Sequence, residues 1–279
     1  MTLPLVSIVV SSYNRPKLIR DAIDSVLAQT WPQDRLQILV CDDWSNIETS
    51  RVIGDYIETR SNIAMVRPAS VPTDAERQYG SRCAIAINAA MPLVRGEFVA
   101  FLPDDDLAAP RSIESRARYL MEHPDCNVVV GRLEACKAET PIAGFHWMGE
   151  LAAFYDNSAG CVMSHSQYGD HAPSLLYCEH DRNGWWPKDG PVARIANKAD
   201  HSMPMVRVQP HGADCGCGIH LPRWPESTLV NGERFDCPDA AWFAMLENGG
   251  FGPFHGIDEI AVIKRYHSRH HRTDPSKRE

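Results

Sequence analysis

Three continuous apolar runs, each ending in polar or acidic residues, are the strongest folding signal in this chain. They cover residues 5–11, 36–41 and 97–102. Runs of this kind are typical of strands that are buried on both faces. Between the first two runs, Ile19 and Ile23 share one face of an amphipathic helix that opens near a proline. Strands that alternate with helices predict an α/β fold with a mostly parallel central sheet flanked by helices.

The same alternation extends through most of the remaining chain. We expect helices over 47–57, 79–90, 110–123 and 238–247, and strands over 63–67, 127–131 and 257–266. The segment 140–232 differs, because it is rich in Gly, Pro, His, Trp and Cys and has weak periodicity. We expect it to be loop-rich, and loops of this kind often face a substrate. A length of 279 residues fits a single domain of this class.

Charge and hydrophobicity argue against several classes of function. The net charge of −8 disfavours a nucleic-acid partner, which would need a basic surface. No apolar run approaches the ~20 residues of a transmembrane helix, and the opening residues are interpreted as a strand and not as a signal peptide. The nine cysteines are scattered and odd in number, which favours a reducing compartment. We therefore expect a cytoplasmic protein without a transmembrane segment.

An acidic triplet, Asp104–Asp106, directly follows the apolar run 97–102. Adjacent carboxylates are tolerated when they are solvated, protonated or bridged by a cation. Mg²⁺ and Mn²⁺ suit one or two carboxylates together with substrate phosphates. The triplet and Asp43 both follow predicted strands, and in parallel sheets ligands bind beyond the carboxyl ends of the strands. From spacing alone, a divalent-metal site is as good an interpretation as the ordinary alternatives, which are a solvated acidic turn or a charge cluster at the start of the helix that begins at Pro110.

Three motifs occur in a fixed order, and the order is more specific than any one of them. They are SIVVSSYNR at 7–15, CDDWS at 41–45 and FVAFLPDDD at 98–106. Together they resemble the motifs of the family 2 glycosyltransferases. Shorter pieces are similar to members that build spore-coat polysaccharide, and they lie at 76–77, 82–88, 199–202, 238–243 and 257–259. The resemblance implies a GT-A fold in a single domain (1–279), with a nucleotide-sugar-binding half (1–135) and an acceptor-binding half (136–279).

The resemblance also implies which residues bind the nucleotide: Ser11, Tyr13, Arg15, Asp43, Arg77 and Asp104. Their chemistry agrees, because a tyrosine ring can stack on a base and a carboxylate can accept the imide N–H of uracil or thymine. The alternatives are that Tyr13 is a turn residue that packs its ring and that Asp43 caps the following helix. Arg82 is five residues from Arg77, so a single helix would not present both to one phosphate, and Arg77 is favoured.

A divalent-cation site is implied by the same resemblance, with Mn²⁺ or Mg²⁺ as the expected cofactor. Asp105 matches the metal-binding position, and Asp106 and His267 are further candidate ligands. Asp106 stands where related sequences vary. His267 is followed by a basic tail, and a solvated chain end explains it equally well.

Asp239 is the candidate catalytic base by resemblance. Pro238 suits a first helical position, which places Asp239 in the first turn, where the helix dipole favours an ionised carboxylate. Relatives often carry another acidic residue in place of Pro238, and the alternative for Asp239 is an ordinary helix-start aspartate. Asp200 and His201 match an Asp-His pair on the acceptor side, where they would position the acceptor or form a structural pair.

A Cys-His cluster lies in the segment that the family motifs do not cover. Its members are His211, Cys215, Cys217 and His220. Zinc accepts these ligand types, but the C-x-C spacing is narrower than the usual zinc-finger spacing. Free cysteines in a loop are therefore favoured over a structural zinc site.

These observations predict an inverting, metal-dependent glycosyltransferase that uses a nucleoside-diphosphate sugar, with UDP or dTDP favoured. The expected partners are that donor and an acceptor that carries a hydroxyl group. The alternative is a non-catalytic nucleotide-sugar-binding module or partner subunit.

Overall fold

The three apolar runs become adjacent strands of one sheet. The computed structural model describes residues 2–79, 82–137, 190–192, 204–210, 219–225, 229–230, 233–234, 238–249, 251–252 and 254–266. Its strands are β1 (Val6–Ser12), β2 (Leu36–Asp42), β3 (Ile63–Val66), β4 (Phe98–Pro103), β5 (Asp106–Ala108), β6 (Val128–Lys137), β7 (Gly190–Val192), β8 (Pro204–Arg207), β9 (Gln209–Pro210), β10 (Ile219–His220), β11 (Leu229–Val230), β12 (Glu233–Arg234) and β13 (Phe254–Tyr266). Its α-helices are α1 (Pro16–Leu27), α2 (Ile47–Thr59), α3 (Asp74–Tyr79), α4 (Arg82–Ala90), α5 (Ser112–Glu122) and α6 (Pro238–Asn248).

Among the described residues, the main sheet has nine strands. Eight follow the order β3-β2-β1-β4-β8-β6-β13-β5, and β7 also pairs with β13. The first four are mutually parallel, and β6 is parallel to β13. β8 runs antiparallel to both of its neighbours, and β5 and β7 run antiparallel to β13. The prediction of a mostly parallel sheet flanked by helices is confirmed, with three reversed strands that the sequence pattern does not predict.

The carboxyl ends of β1, β2 and β4 are level with one another. Ser11 of β1 lies opposite Cys41 of β2 on one side and Pro103 of β4 on the other. Nearly every residue of these three strands is buried, as their apolar sequences predict. The residues that follow each strand therefore meet at one edge of the sheet, which we call the carboxyl edge.

Local sequence explains where the first two helices begin. Arg15 is the N-cap of α1, and Pro16 is its first residue. An N–H at the first helical position has no partner within the helix, so the missing N–H of proline does not destabilise α1 there. Asn46 caps α2, and its side chain accepts the Thr49 N–H at 2.9 Å. Asp43 therefore does not cap the following helix, which removes one alternative for that residue.

The helix expected over 79–90 is found as α4 (Arg82–Ala90), and a further helix, α3 (Asp74–Tyr79), precedes it. Thr73 and Glu76 form a capping box at the start of α3. Thr73 Oγ1 accepts the Glu76 N–H at 3.3 Å, and Glu76 Oε2 accepts the Thr73 N–H at 2.7 Å. This pair starts a helix ahead of the apolar stripe, and Arg77 consequently lies inside α3.

Pairing in the sheet also moves other boundaries. β6 continues to Lys137, beyond the expected end at 131, and β13 begins at Phe254 instead of 257. These two strands pair along most of their length, with register shifts between Gly256 and Ile260. Hydrogen bonds to a neighbouring strand extend a strand past its apolar core, which a local pattern does not reveal.

Helix length bears on the expectation that the chain has no transmembrane segment. The helix α2 has 13 residues, whereas a membrane crossing takes about 20. In the part of the chain that the structure describes, no helix is both long and apolar enough to span a bilayer.

Candidate active site

Asn14 links the loop after β1 to the loop after β2. Its N–H donates to Ser45 Oγ at 2.9 Å, and its Oδ1 accepts the Asn46 N–H at 2.7 Å. The φ angle of Asn14 is 51°, a left-handed conformation that asparagine tolerates better than most residues. Tyr13 and Arg15 flank Asn14 and are therefore fixed relative to the second loop.

The second loop is held by Asp42, Trp44 and Arg67. Trp44 also has a left-handed φ, 57°, which is strained for a bulky residue. Its indole N–H donates to the Pro68 carbonyl at 3.1 Å, and the Arg67 guanidinium lies 5.2 Å from its ring centroid. Arg67 also donates to Asp42 Oδ2 at 2.8 Å. These contacts fix the backbone on both sides of Asp43.

Asp43 binds two arginines from two different helices. Arg77 of α3 donates to Asp43 Oδ2 and to the Asp43 carbonyl, each at 3.1 Å. Arg82 of α4 donates from Nε to Asp43 Oδ2 at 3.1 Å and from Nη2 to Oδ1. The expectation that one helix would separate these arginines does not apply, because Arg77 belongs to α3 and Arg82 to α4, and both contact one carboxylate.

Tyr13 lies beside this cluster with part of its ring accessible. The residue is 41% exposed, and the Arg77 guanidinium carbon lies 4.2 Å from the ring centroid. The ring therefore contacts a charged group and is not packed into the core, which argues against a purely structural turn residue. Ser11, the remaining residue expected near the base, is half-buried at the end of β1.

Asp104 and Asp105 share one guanidinium nitrogen. Arg15 Nη1 donates to Asp104 Oδ1 and to Asp105 Oδ2, each at 2.7 Å. Asp104 Oδ2 also accepts the Tyr13 N–H at 2.9 Å. The triplet Asp104–Asp106 is buried, with exposed fractions of 3%, 6% and 1% along the chain. The interpretation of the triplet as a solvated acidic turn is therefore excluded.

Burial raises the pKa of Asp104 to about 6. The neighbouring Asp105 charge acts in the same direction, whereas Arg15 and the Tyr13 N–H oppose the rise. Burial alone would lower the pKa of Arg15, but the attraction of Asp104 and Asp105 raises it overall. The pair of carboxylates is thus an environment that stabilises a positive group.

The metal ligands expected from sequence are only partly described. Asp106 begins β5, opposite Lys264 of β13, and His267 lies outside the described residues. Among the residues that the structure describes, no three His, Cys, Asp or Glu side chains are grouped so that they could hold a metal ion. Asp104 and Asp105 nevertheless fit Mg²⁺ or Mn²⁺, because two carboxylates plus substrate oxygens are a suitable set of ligands for these ions.

An aromatic stack fixes the helix that carries Asp239. Trp242 of α6 stacks on Trp224, with centroids 4.7 Å apart and planes 11° apart. Both rings contact the edge or face of Phe101 in β4, at 5.1 and 5.2 Å between centroids. Pro238 is the first residue of α6, as predicted, so the backbone of Asp239 lies in the first turn; its side chain is outside the described part.

Several other expected residues lie outside the described part of the chain. These are Asp200 and His201 on the acceptor side, and His211, Cys215 and Cys217 of the Cys-His cluster. The last cluster member, His220, has its backbone in the two-residue strand β10.

Sequence reasoning missed three contributors to this edge. Asn14 is one, although asparagine before an arginine and proline is a turn signal that points to a left-handed residue. The Asp42–Arg67 pair is another, because no local sequence pattern predicts a contact between residues 25 positions apart. Arg82 is the third, because the sequence favours Arg77 over it. The capping box of Thr73 and Glu76 indicates where α3 begins, but it does not indicate that Arg82 starts another helix.

Comparison with known proteins gives a relative that spans much of the chain. Protein CgeD of Bacillus subtilis strain 168 is 28% identical over 194 residues, which is 66% of this chain and 42% of CgeD. The match therefore spans less than half of that relative's length.

Solved structures share the fold. The S. aureus TarS 1–349 structure in complex with UDP-GlcNAc has a TM-score of 0.59 and 14% identity over 97% of this chain and 61% of TarS 1–349. The mannosyltransferase PcManGT from Pyrobaculum calidifontis, in complex with GDP-Man and Mn²⁺, has a TM-score of 0.51 and 17% identity over 96% of this chain and 59% of its own. At such identities the likeness concerns the fold alone.

A family model described as Glycosyl transferase family 2 matches residues 7–159, which is more than half of the chain. The match includes β1 from its second residue, every strand from β2 to β6, and both groups of buried aspartates at the carboxyl edge. The predicted GT-A architecture is confirmed, and the chain belongs to glycosyl transferase family 2.

Proposed function

We propose that this chain is an inverting, divalent-cation-dependent glycosyltransferase that moves a sugar from a UDP-sugar or dTDP-sugar to an acceptor hydroxyl. The observation that carries the proposal is the meeting of two groups at the carboxyl edge. One is Asp43 with its two arginines, and the other is the Asp104–Asp105 pair with Arg15. A nucleoside-diphosphate sugar has a base at one end and a diphosphate next to the sugar. Asp43 with its arginines suits the base, and the Asp104–Asp105 pair with Arg15 suits the diphosphate and its cation.

Asp43 is the proposed reader of the base. A carboxylate has more acceptor sites than its two arginines use, so it can also accept the imide N–H of uracil or thymine. The guanidinium groups of Arg77 and Arg82 fix the direction of its oxygens before the ligand arrives. Adenine and cytosine carry no imide N–H, so an acceptor at this position disfavours them. Guanine does carry a ring N–H beside a carbonyl, and the proposed preference for uracil and thymine over guanine rests on the resemblance to the family.

The charges at the carboxyl edge favour binding of a diphosphate together with a cation. The described carboxylates there are Asp42, Asp43, Asp104, Asp105 and Asp106, and the described arginines are Arg15, Arg67, Arg77 and Arg82. The carboxylates outnumber the guanidinium groups by one, so the edge alone repels a diphosphate. A divalent cation reverses the sign and would stabilise the charge that develops on the leaving diphosphate.

Asp239 is the proposed general base. Its carboxylate takes the proton from the acceptor hydroxyl while that oxygen forms a bond to the anomeric carbon. The bond between the anomeric carbon and the diphosphate oxygen breaks on the opposite face, so the configuration is inverted. The stack of Trp224 and Trp242 supports this role, because it holds the helix of Asp239 against the strand that leads to Asp104.

A nucleotide panel tests the donor proposal directly. We expect UDP and dTDP to raise the melting temperature in the presence of Mn²⁺, and GDP to raise it less, because a bound ligand stabilises the folded state by mass action. Asp43→Asn should lose most of the UDP effect. Asp55→Asn, an exposed change on α2, is the matched control and should keep it. Equal shifts with GDP and UDP would contradict the proposed preference for UDP and dTDP donors, and an unchanged UDP shift in Asp43→Asn would contradict the assignment of Asp43.

Turnover separates an enzyme from a binding module. Slow hydrolysis of the donor without an acceptor, followed as release of free sugar, supports catalysis. Donor binding with neither hydrolysis nor transfer to a panel of hydroxyl acceptors supports the non-catalytic alternative.

A further inference from the structure

One guanidinium nitrogen occupies the space between the two carboxylates that are proposed to face the cation. Arg15 Nη1 lies 2.7 Å from Asp104 Oδ1 and 2.7 Å from Asp105 Oδ2. The carboxylates are nearly inaccessible, with side-chain exposures of 4% and 9%, whereas 28% of the Arg15 side chain is exposed. The cationic partner of this buried pair therefore has a route to solvent.

The geometry points to Arg15 as an internal counter-ion that a divalent cation must displace from Asp105 and that the donor diphosphate then binds. This inference rests on the proposed function, because it takes the cation and the diphosphate from there. It assigns to Arg15 a role in coupling the two ligands, beyond that of a nucleotide contact.

Displacement follows from the space and charge around Asp105. Mg²⁺ or Mn²⁺ binds a carboxylate oxygen at about 2.1 Å, and the Arg15 nitrogen lies against Asp105 Oδ2. Two positive groups at one oxygen repel each other, so a bound cation and the present position of Arg15 exclude one another. The freed guanidinium is a good ligand for phosphate oxygens, which it can bind in a forked geometry.

Coupling between the two ligands is the consequence. Moving Arg15 away from Asp104 and Asp105 costs free energy, and either ligand alone must bear that cost. When both ligands bind, Arg15 moves only once. Its contacts with the diphosphate then replace the contacts that it lost with the two carboxylates. Each ligand should therefore raise the affinity for the other by the same factor, as linkage requires.

The test measures Mn²⁺ binding without any assay of activity. Free Mn²⁺ is counted by electron paramagnetic resonance during titration of the full chain, with and without saturating UDP. In the wild type we expect UDP to tighten Mn²⁺ binding by about tenfold or more. In Arg15→Gln we expect Mn²⁺ alone to bind about tenfold more tightly than in the wild type, and the effect of UDP to shrink.

Arg118→Gln is the matched control, because it removes a guanidinium that pairs with Glu114 at 2.9 Å on the exposed face of α5 and not with the Asp104–Asp105 pair. It should leave Mn²⁺ affinity close to the wild-type value, which separates displacement from a general change in charge. Equal Mn²⁺ affinity in wild type and Arg15→Gln overturns the inference, as does independent binding of Mn²⁺ and UDP to the wild type, a result that needs no variant to fold. Failure of UDP to bind under any condition instead overturns the proposed function.

Discussion

Asn88 and Trp224 lie 136 positions apart in the sequence and exchange two hydrogen bonds. Asn88 Nδ2 donates to the Trp224 carbonyl at 2.8 Å, and the Trp224 N–H donates to Asn88 Oδ1 at 2.7 Å. Both residues are buried, and the Trp224 ring stacks on Trp242. One amide side chain in α4 therefore fixes the segment on which α6 rests.

Removing this amide should destabilise the fold. In Asn88→Ala the buried backbone N–H and backbone carbonyl of Trp224 lose their partners. We therefore expect the free energy of unfolding to fall by about 2–3 kcal/mol. Urea denaturation measures the change. Asn62→Ala is the control, because Asn62 donates one partly buried hydrogen bond, to the Gln33 carbonyl at 3.1 Å, and should cost about 1 kcal/mol or less. Similar losses in the two variants would argue against the importance of the Asn88 pair.

Replacement of the proposed base should separate turnover from binding. Asp239→Asn keeps the size of the side chain and removes its basicity, so we expect turnover to fall by about 10²-fold or more while donor affinity stays unchanged. Product formation at saturating donor measures turnover, and calorimetric titration with UDP and Mn²⁺ measures affinity. Asp55→Asn should show wild-type values for both. Full activity in Asp239→Asn would remove this residue from the mechanism.

The geometry around Asp43 predicts that lysine cannot replace Arg82. Arg82 contacts both oxygens of Asp43 through two nitrogens, whereas lysine offers a single charged group. We expect Arg82→Lys to weaken UDP binding by about tenfold, as measured by calorimetry, because Asp43 loses its fixed orientation. Arg118→Lys is the control, since Arg118 pairs with Glu114 on the exposed face of α5. Unchanged affinity in Arg82→Lys would show that Asp43 needs only positive charge nearby.

Cysteine reactivity should follow burial. Cys83 is exposed, whereas Cys41 and Cys126 are buried. Burial raises the pKa of Cys126 to about 11, and the pKa of Cys41 is raised well above its ordinary value by the same cause. Because the thiolate is the reactive form, we expect iodoacetamide to label Cys83 at least about tenfold faster in the folded protein. Peptide mass spectrometry over a time course measures the three rates, and equal rates would contradict the burial of the two slower thiols.

His255 should contribute to acid sensitivity at the opposite end of the sheet. Its Nδ1 lies 2.9 Å from the Tyr119 hydroxyl; burial lowers the pKa of His255, nearby His123 lowers it further, and Asp125 opposes the change. The folded state thus binds a proton less readily than the unfolded chain. The stability from this group is complete above the ordinary pKa of about 6.5 and is lost as the pH falls through the lowered value.

We therefore expect His255→Asn to reduce the loss of unfolding free energy between about pH 7.5 and pH 5, measured by urea denaturation at each pH. Tyr119→Phe retains the imidazole and its aromatic neighbour, and it should keep most of the wild-type pH dependence. An identical loss in wild type and His255→Asn would show that other groups account for the acid sensitivity.

The sequence predicts those parts of the structure that depend on local pattern. β1, β2 and β4 are found within one residue of the expected bounds, because each is a continuous apolar run that ends in a turn. The first turn of α6 was anticipated for the same reason, since Pro238 is typical of a helix start. The placement of Asp43 and Asp104 at the same edge of the sheet follows from the parallel arrangement of β2, β1 and β4.

The remaining features depend on contacts between distant segments. The exchange between Asn88 and Trp224 has no local signal, because asparagine inside a helix and tryptophan in an irregular segment are unremarkable by themselves. The hydrogen bond from Arg15 to Asp105 spans 90 positions. It depends on the direction that Arg15, the N-cap of α1, gives to its side chain. Register and pairing also decide that β8 enters the sheet between β4 and β6.

That placement of β8 has an evolutionary consequence. β8 (Pro204–Arg207) lies between β4 and β6 and pairs with both, although it follows them in the chain. The strands that lead to Asp43 and Asp104, β2 and β4, are complete before β6 begins. Insertions, deletions or exchange between Lys137 and Gly190 would therefore leave the pairing of β2, β1 and β4 intact, so a lineage can diversify its recognition repertoire while it inherits the same group of aspartates.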